Sequence, residues 1–220
     1  MRPLSLLEAR VLGVLVEKAH TVPDSYPLSL NALTLGCNQK TARDPVLAAS
    51  EGEVQAGVDA LKLLSLAFES SGSRVTRYEH NMGRALGLPS QSVALLAVLM
   101  LRGPQTSSEL RANSERLHRF ADVSAVEGFL DELATRSDDK GGPLAIRLAR
   151  APSAREARWA HLLSGPVEAD AGTAGAAPED VVAVSELAAL KLRQSATEAE
   201  LDRLKDLVDR LYAELDIRRP

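Results

Sequence analysis

The feature that most limits what this chain can fold into is a seven-residue pattern that occurs twice. Arg74-Val-Thr-Arg77-Tyr78-Glu-His80 and Arg155-Glu-Ala-Arg158-Trp159-Ala-His161 share the form R-x-x-R-aromatic-x-H. The same order of segments precedes each copy. Glu8 to Lys18 (EARVLGVLVEK) lies over Ser92 to Arg102 (SVALLAVLMLR), matching Leu12 with Leu96, Val14 with Val98 and Leu15 with Leu99. Ser29 to Leu33 lies over Thr106 to Leu110. Ser50-Glu51-Gly52-Glu53 and Ser124-Ala125-Val126-Glu127 both have the capping-box form, in which a hydroxyl and a carboxylate each satisfy an orphan amide at a helix start. Self-similarity of this kind predicts two copies of one small unit.

Periodicity gives the unit its content. Leu4 to Lys18 places Leu7, Val11, Val14 and Leu15 on one stripe, with Glu8 and Lys18 off it, which predicts an amphipathic helix. Pro23 and Pro27 around Asp24–Tyr26 mark a loop, and Ser29 to Leu35 reads as a short second helix ending near Gly36. A third helix begins at Glu51 with Val54, Val58, Leu61 and Leu64 inward and Glu51, Glu53, Gln55, Asp59 and Lys62 outward. Two β-prone runs around Ser71-Gly72-Ser73 then predict a hairpin. Three helices and a two-stranded wing in about 75 residues is the winged form of the helix-turn-helix. The expected fold is therefore mainly α with small β-hairpins (α+β): a winged-helix domain over 1–82, a second over 83–165, a flexible Gly/Ala/Pro-rich linker over 166–180 and a C-terminal helix over 181–220. In that last segment Leu187, Leu190, Leu201, Leu204, Val208, Leu211 and Leu215 follow a heptad seam, interrupted at Gln194 and Thr197. The seam predicts a coiled-coil homodimer; the alternative is a single helix folded back on the domains or left unpartnered.

Composition narrows the function. A single cysteine, Cys37, excludes an intramolecular disulfide and any multi-cysteine metal site. Apolar runs are too short for a membrane span, and Glu8 and Arg10 interrupt the N-terminal stretch where a signal peptide would be apolar, so a cytoplasmic-type protein is expected. Seven aromatic residues are too few for a base-stacking platform. Charge is uneven, with 8 basic and 9 acidic groups over 1–80, 11 and 9 over 81–164, and 7 and 12 beyond. There is no phosphate-cradling glycine motif, no nucleophile elbow and no H-E-x-x-H, so no enzyme, cofactor or metal is expected. His80 and His161 read as residues closing their hairpins, and Cys37 reads as a small buried hydrophobe.

The segments LEARVLGVLVEK (7–18), YPLSLNAL (26–33), CNQKTARDPV (37–46), SEGEVQ (50–55), LRGPQTSSELR (101–111) and LARAPSAREARWAHLLSG (148–165) resemble the YceH-like bacterial family of tandem winged-helix proteins. Ser108 stands where that family usually has glycine, and Ala-Pro-Ser153-Ala-Arg155 where it usually has a Pro-Gly turn. The resemblance implies the tandem fold for most of 4–165 and carries no activity with it.

Binding is the remaining class, with DNA or a protein as the partner. In a DNA-binding winged helix the third helix enters the major groove and the wing brings Arg or Lys to phosphate. The candidate contacts are Asn38, Gln39, Lys40 and Arg43 in the loop before the third helix, Arg74 and Arg77 on the first wing, and Arg155 and Arg158 on the second, where Arg147 and Arg150 add charge. Against base reading by the third helices stand their acidic outer faces, Glu51, Glu53 and Asp59 in one and Glu127, Asp131 and Glu132 in the other, which offset the positive pole a phosphate would meet. An acidic outer face suits a protein-binding adaptor instead.

Overall fold

The structure is a computed structural model that describes residues 1–70, 75–150 and 155–167. All of these belong to one compact unit, and residues 176–220 lie outside the described residues. The expected C-terminal helix and its seam, the linker from residue 168 and the tip of the first hairpin, Arg74 included, therefore fall outside them as well.

The described chain is mixed α and β, with small antiparallel sheets among helices. Helix α1 spans Leu6–Thr21. Its start is set by a capping box at Ser5, whose hydroxyl accepts from the Glu8 amide while the Glu8 carboxylate accepts from the Ser5 amide. Strand β1 is only Leu28–Ser29, too short to register as a period in the sequence. Helix α2, Leu30–Cys37, is capped by Ser29 and ends one residue after Gly36, near where the sequence places its end. A Cβ on Gly36 would lie 2.6 Å from Val14 Cγ1, so this glycine also serves the close approach of α2 to α1. Helix α3, Glu51–Leu63, carries the Ser50–Glu53 capping box and buries Val54, Val58 and Leu61, as the periodicity predicts. Strands β2 (Ala67–Ser70) and β3 (Arg77–His80) pair antiparallel, and β1 adds to the free edge of β3, giving the order β1-β3-β2.

A short helix α4, Met82–Leu86, leads to the second set: α5 (Ser90–Arg102), α6 (Ser107–Ser114), α7 (Val123–Ala134), β4 (Ala145–Arg147) and β5 (Trp159–His161). The parallel between the sets extends to backbone detail. Where Leu28 pairs with Tyr78, Gln105 bridges Trp159 through two backbone hydrogen bonds of 3.0 and 2.7 Å. The two sets differ at the third helix. The capping box expected at Ser124 does not form; Asp122 is the cap, its carboxylate accepting from the Ala125 amide at 2.8 Å. Aspartate is as good a cap as serine, and Glu127 is engaged elsewhere, accepting from Ser107 Oγ at 3.2 Å.

The largest departure from the sequence reading concerns α1. A single apolar stripe was the expectation, whereas every residue from Glu8 to Val16 is buried, as is every residue of α5 from Ser92 to Leu101. A helix buried all round needs partners on opposite sides, and here each of these helices packs on its own unit and also on the other. Gly13 lies at this crossing, where a Cβ would meet Leu101 Cγ at 3.0 Å and Ala97 O at 3.4 Å. One hydrophobic cluster consequently runs from Leu4 to Leu163 across both sets. The Leu4 amide donates to Leu163 O at 2.8 Å, tying the start of the first set to the end of the second. No helix of the described residues is long and apolar enough to cross a membrane.

Candidate nucleic-acid interface

The loop between α2 and α3 holds four of the sequence candidates, and the structure separates them. Asn38 clamps the loop shut: its Nδ2 donates to Ala49 O at 2.7 Å and its Oδ1 accepts from the Ala49 amide at 2.8 Å. Arg43 points inward. Its side chain is fully enclosed, with Nε donating to Gly36 O at 3.1 Å and the guanidinium pairing with Glu17 at 2.6 Å. Burial opposes ionisation of Glu17, and the hydrogen bond and charge of Arg43 outweigh it, holding that carboxyl below the usual range. Gln39 Oε1 accepts from Arg43 at 3.2 Å and its amide donates to Thr41. Only Lys40 stands free at the surface.

Beside this network Arg10, fully buried, donates to Cys37 O at 3.1 Å and Pro45 O at 2.6 Å, with its Nε unpartnered. Arg10 and Arg43 thus supply donors to the last carbonyls of α2, where a helix presents unpaired acceptors and a negative pole. The loop also reaches the second set, since the Asp44 amide donates to Leu101 O at 2.8 Å. Cys37 is enclosed in the same region, and burial pushes its thiol up to about 12, which leaves it without the thiolate that reactivity requires.

The repeated pattern resolves into three jobs. Its second arginine is a brace in both copies: Arg77 donates to Pro27 O at 2.8 Å, and Arg158 donates to Pro104 O at 3.3 Å. The two acceptors occupy equivalent places, two residues before the caps of α2 and α6. The aromatic, Tyr78 or Trp159, is buried in the core. The histidine closes the hairpin, with Nδ1 buried and unpartnered in both His80 and His161. Burial pushes each imidazole down to about 4, with a smaller contribution from His20 at His80. Among the described residues no three His, Cys, Asp or Glu side chains are grouped so as to hold a metal ion.

The first arginine of the second copy has a different setting. Arg155, Arg147 and Arg150 surround a cavity of about 290 Å³ under the β4–β5 hairpin, with Ser107, Glu127 and Glu156 on its other walls. All three arginines are exposed, and none lies within ion-pairing distance of a carboxylate among the described residues. Arg147 rests 5.9 Å from the centroid of the Trp159 ring. Both wall carboxylates are held by serines of α6, Glu127 by Ser107 and Glu156 by Ser108. Three cations face two carboxylates, so the surface presents net positive charge, and guanidinium groups carry donors that suit phosphate oxygens. Arg147 and Arg150 share no repeated motif with the first unit, so the sequence signal for them was only their density beside Arg155. The start of α3 presents the opposite sign, with Glu51 and Glu53 exposed and Glu53 engaged in its cap.

Residues 4–154 match the family described as Protein of unknown function, DUF480. A UPF0502 protein of Methylibium petroleiphilum is 64% identical over 202 residues, covering 91% of this chain and 85% of its own length. UPF0502 proteins of Burkholderia pseudomallei and Burkholderia thailandensis are 61% and 59% identical over 217 residues, each alignment covering 99% of this chain and 91% of the relative.

Proposed function

The chain belongs to the DUF480 family of bacterial proteins, UPF0502 by the names of its relatives, and from that premise we propose that it is a non-enzymatic, nucleic-acid-binding protein of the tandem winged-helix type. The second unit makes the contact. The observation that carries this reading is the trio Arg147, Arg150 and Arg155, exposed and without ion pairs among the described residues, on the hairpin that forms the wing. Guanidinium groups so placed release counterions from a duplex without first breaking an ion pair. Among the described candidates of the first unit Lys40 is the one left for such a contact, because Arg43, Asn38 and Arg77 are committed to internal bonds. The acidic α3 stays out of the groove, and backbone contacts dominate over base reading.

Fluorescence anisotropy of a mixed-sequence duplex, measured across a salt series, tests the proposal. Each neutralised phosphate contributes about 0.9 to the slope of log affinity against log salt, so Arg147→Ala with Arg150→Ala and Arg155→Ala is expected to flatten the slope by about 2.7. An unchanged slope in the triple variant, or no binding by the intact chain at low salt, defeats it. The second reading, a protein-binding adaptor, draws support from exposed apolar side chains of the first unit, Leu63 at 89% and Leu35 at 66% exposure, near the acidic outer face of α3. A chain that ignores duplex at low salt would favour that reading.

A further inference from the structure

Two of the side chains that line the cavity of about 290 Å³ under the β4–β5 hairpin have counterparts in the first unit that are committed to internal bonds. Along the hairpins Glu69 is paired with Tyr78 where Arg147 is paired with Trp159, so a carboxylate in one copy stands where a guanidinium stands in the other. Counting from the caps of α3 and α7, Ser50 and Asp122, Gln55 takes the place of Glu127 and Lys62 that of Ala134. In the first unit these positions close on themselves: Gln55 Oε1 accepts from the Tyr78 hydroxyl at 2.8 Å, and Lys62 Nζ donates to Glu69 at 2.7 Å. In the second unit the hydroxyl is lost with Trp159 and the ammonium with Ala134. Arg147 is left with Arg150 and Arg155 around the cavity, without ion pairs among the described residues, and Glu127 and Glu156 stand on the other walls, each accepting from one serine hydroxyl.

Phosphate contact alone leaves the two carboxylates without a purpose, since each opposes the charge of a phosphate. A ligand that carries N–H donors beside acceptor atoms uses both signs. We infer that this cavity holds one unpaired guanine of a nucleic-acid strand, with the flanking phosphates on the outer guanidinium groups; the inference rests on the nucleic-acid reading of the same arginines. Guanine offers O6 and N7 as adjacent acceptors to a guanidinium. Its pairing edge offers the N1–H and the N2 amino group as adjacent donors, which one carboxylate can take together, and a carboxylate holding a single serine hydroxyl has acceptor capacity to spare. The other bases have no such pair of adjacent donor groups. In a duplex that edge is occupied, so the base must be unpaired or turned out of the stack. Guanidinium planes also stack on bases, which lets a single base be held without an aromatic platform. The volume lies near the lower bound of small-molecule sites, the scale of one nucleotide rather than of a duplex.

Fluorescence anisotropy of the full chain with an all-thymine single strand, the same strand carrying one central guanine, and that strand annealed to its complement provides the test. The guanine strand should bind about tenfold or more tighter than the all-thymine strand, and annealing should remove the advantage. The preference should fall in Glu127→Gln and in Glu156→Gln, the latter at an exposed position that the fold does not depend on. Carboxylates that merely opposed phosphate would, once neutralised, raise the affinity of both single strands alike and leave the preference intact, and that result overturns the inference. Equal binding of the two single strands by the parent chain overturns it as well. If the duplex still shows a salt slope that depends on the three arginines, the nucleic-acid reading survives that failure; if neither strand nor duplex binds at low salt, both fall. Saturable binding of free guanosine 5′-monophosphate with no preference between the strands would also overturn the inference, by making the ligand a free nucleotide.

Discussion

The twin histidines allow a sharp test of how the hairpins are held. His80 and His161 are both neutral in the folded chain because burial pushes their imidazoles down to about 4, with the charge of His20 adding to the effect at His80. In the unfolded chain each titrates near 6.5. Above that value neither state binds the proton and the stability they allow is complete. As pH falls from about 6.5 towards about 4 the unfolded state binds protons that the folded state refuses, so stability is lost across that window. At pH 5 the loss is about 2 kcal/mol per ring, hence about 4 kcal/mol for the pair, against a total of about 5–15 kcal/mol for a typical domain. Both rings keep some surface at the solvent, which makes these upper figures. Urea unfolding of the intact chain and of His80→Phe with His161→Phe, at pH 7 and pH 5, isolates the term, because the buried carboxylates titrate lower. The double variant should lose most of the stability difference between the two pH values. The same pH dependence in both proteins would refute the reasoning, and with it the account of the repeated histidine as a buried, neutral closure.

Further expectations concern the α2–α3 loop and the crossing of the two first helices. Arg43→Ala leaves the part-buried Glu17 with only Lys18 and removes the donor to Gly36 O, and should cost about 3 kcal/mol in denaturant unfolding, whereas Lys40→Ala should be within about 0.5 kcal/mol of the parent. Equal effects would contradict the burial of Arg43. Gly13→Val drives two methyl groups into Leu101 and should cost about 1–3 kcal/mol, read as a lowered thermal midpoint; an unaffected midpoint would mean that α1 and α5 do not approach as closely as described.

Helix positions and most of the inner face were legible because they rest on local signals. The Ser50 capping box and the Val54, Val58, Leu61 stripe appear where the periodicity places them. The misreadings share a cause, which is that partners distant in sequence override local cues. Helix α1 reads as a single stripe until α5 is seen against it, and Ser124 reads as a cap until Asp122 caps the helix through the Ala125 amide and Ser107 engages Glu127. The candidate site suffered most. Residue type announces a guanidinium but not its direction, and Arg43, Arg77 and Arg158 turn out to brace backbone carbonyls while Arg147, Arg150 and Arg155 remain outward. The segments that carried the family resemblance meet one another, CNQKTARDPV touching LRGPQT through Asp44 and Leu101. Their distinctive residues Asn38 and Arg43 brace the loop itself while Asp44 reaches the second set, a division that a pattern of residue types cannot disclose.

That joint gives the molecule a fixed gauge. Because α1 and α5 each seal the other's apolar surface, the two hairpin-bearing units cannot swing independently as modules on a tether would. A partner long enough to touch both must present its own features at the single spacing and angle that the shared core dictates. Distance then counts as much as the chemistry of any one contact, and a substitution deep at Gly13 would change that spacing without changing a surface residue.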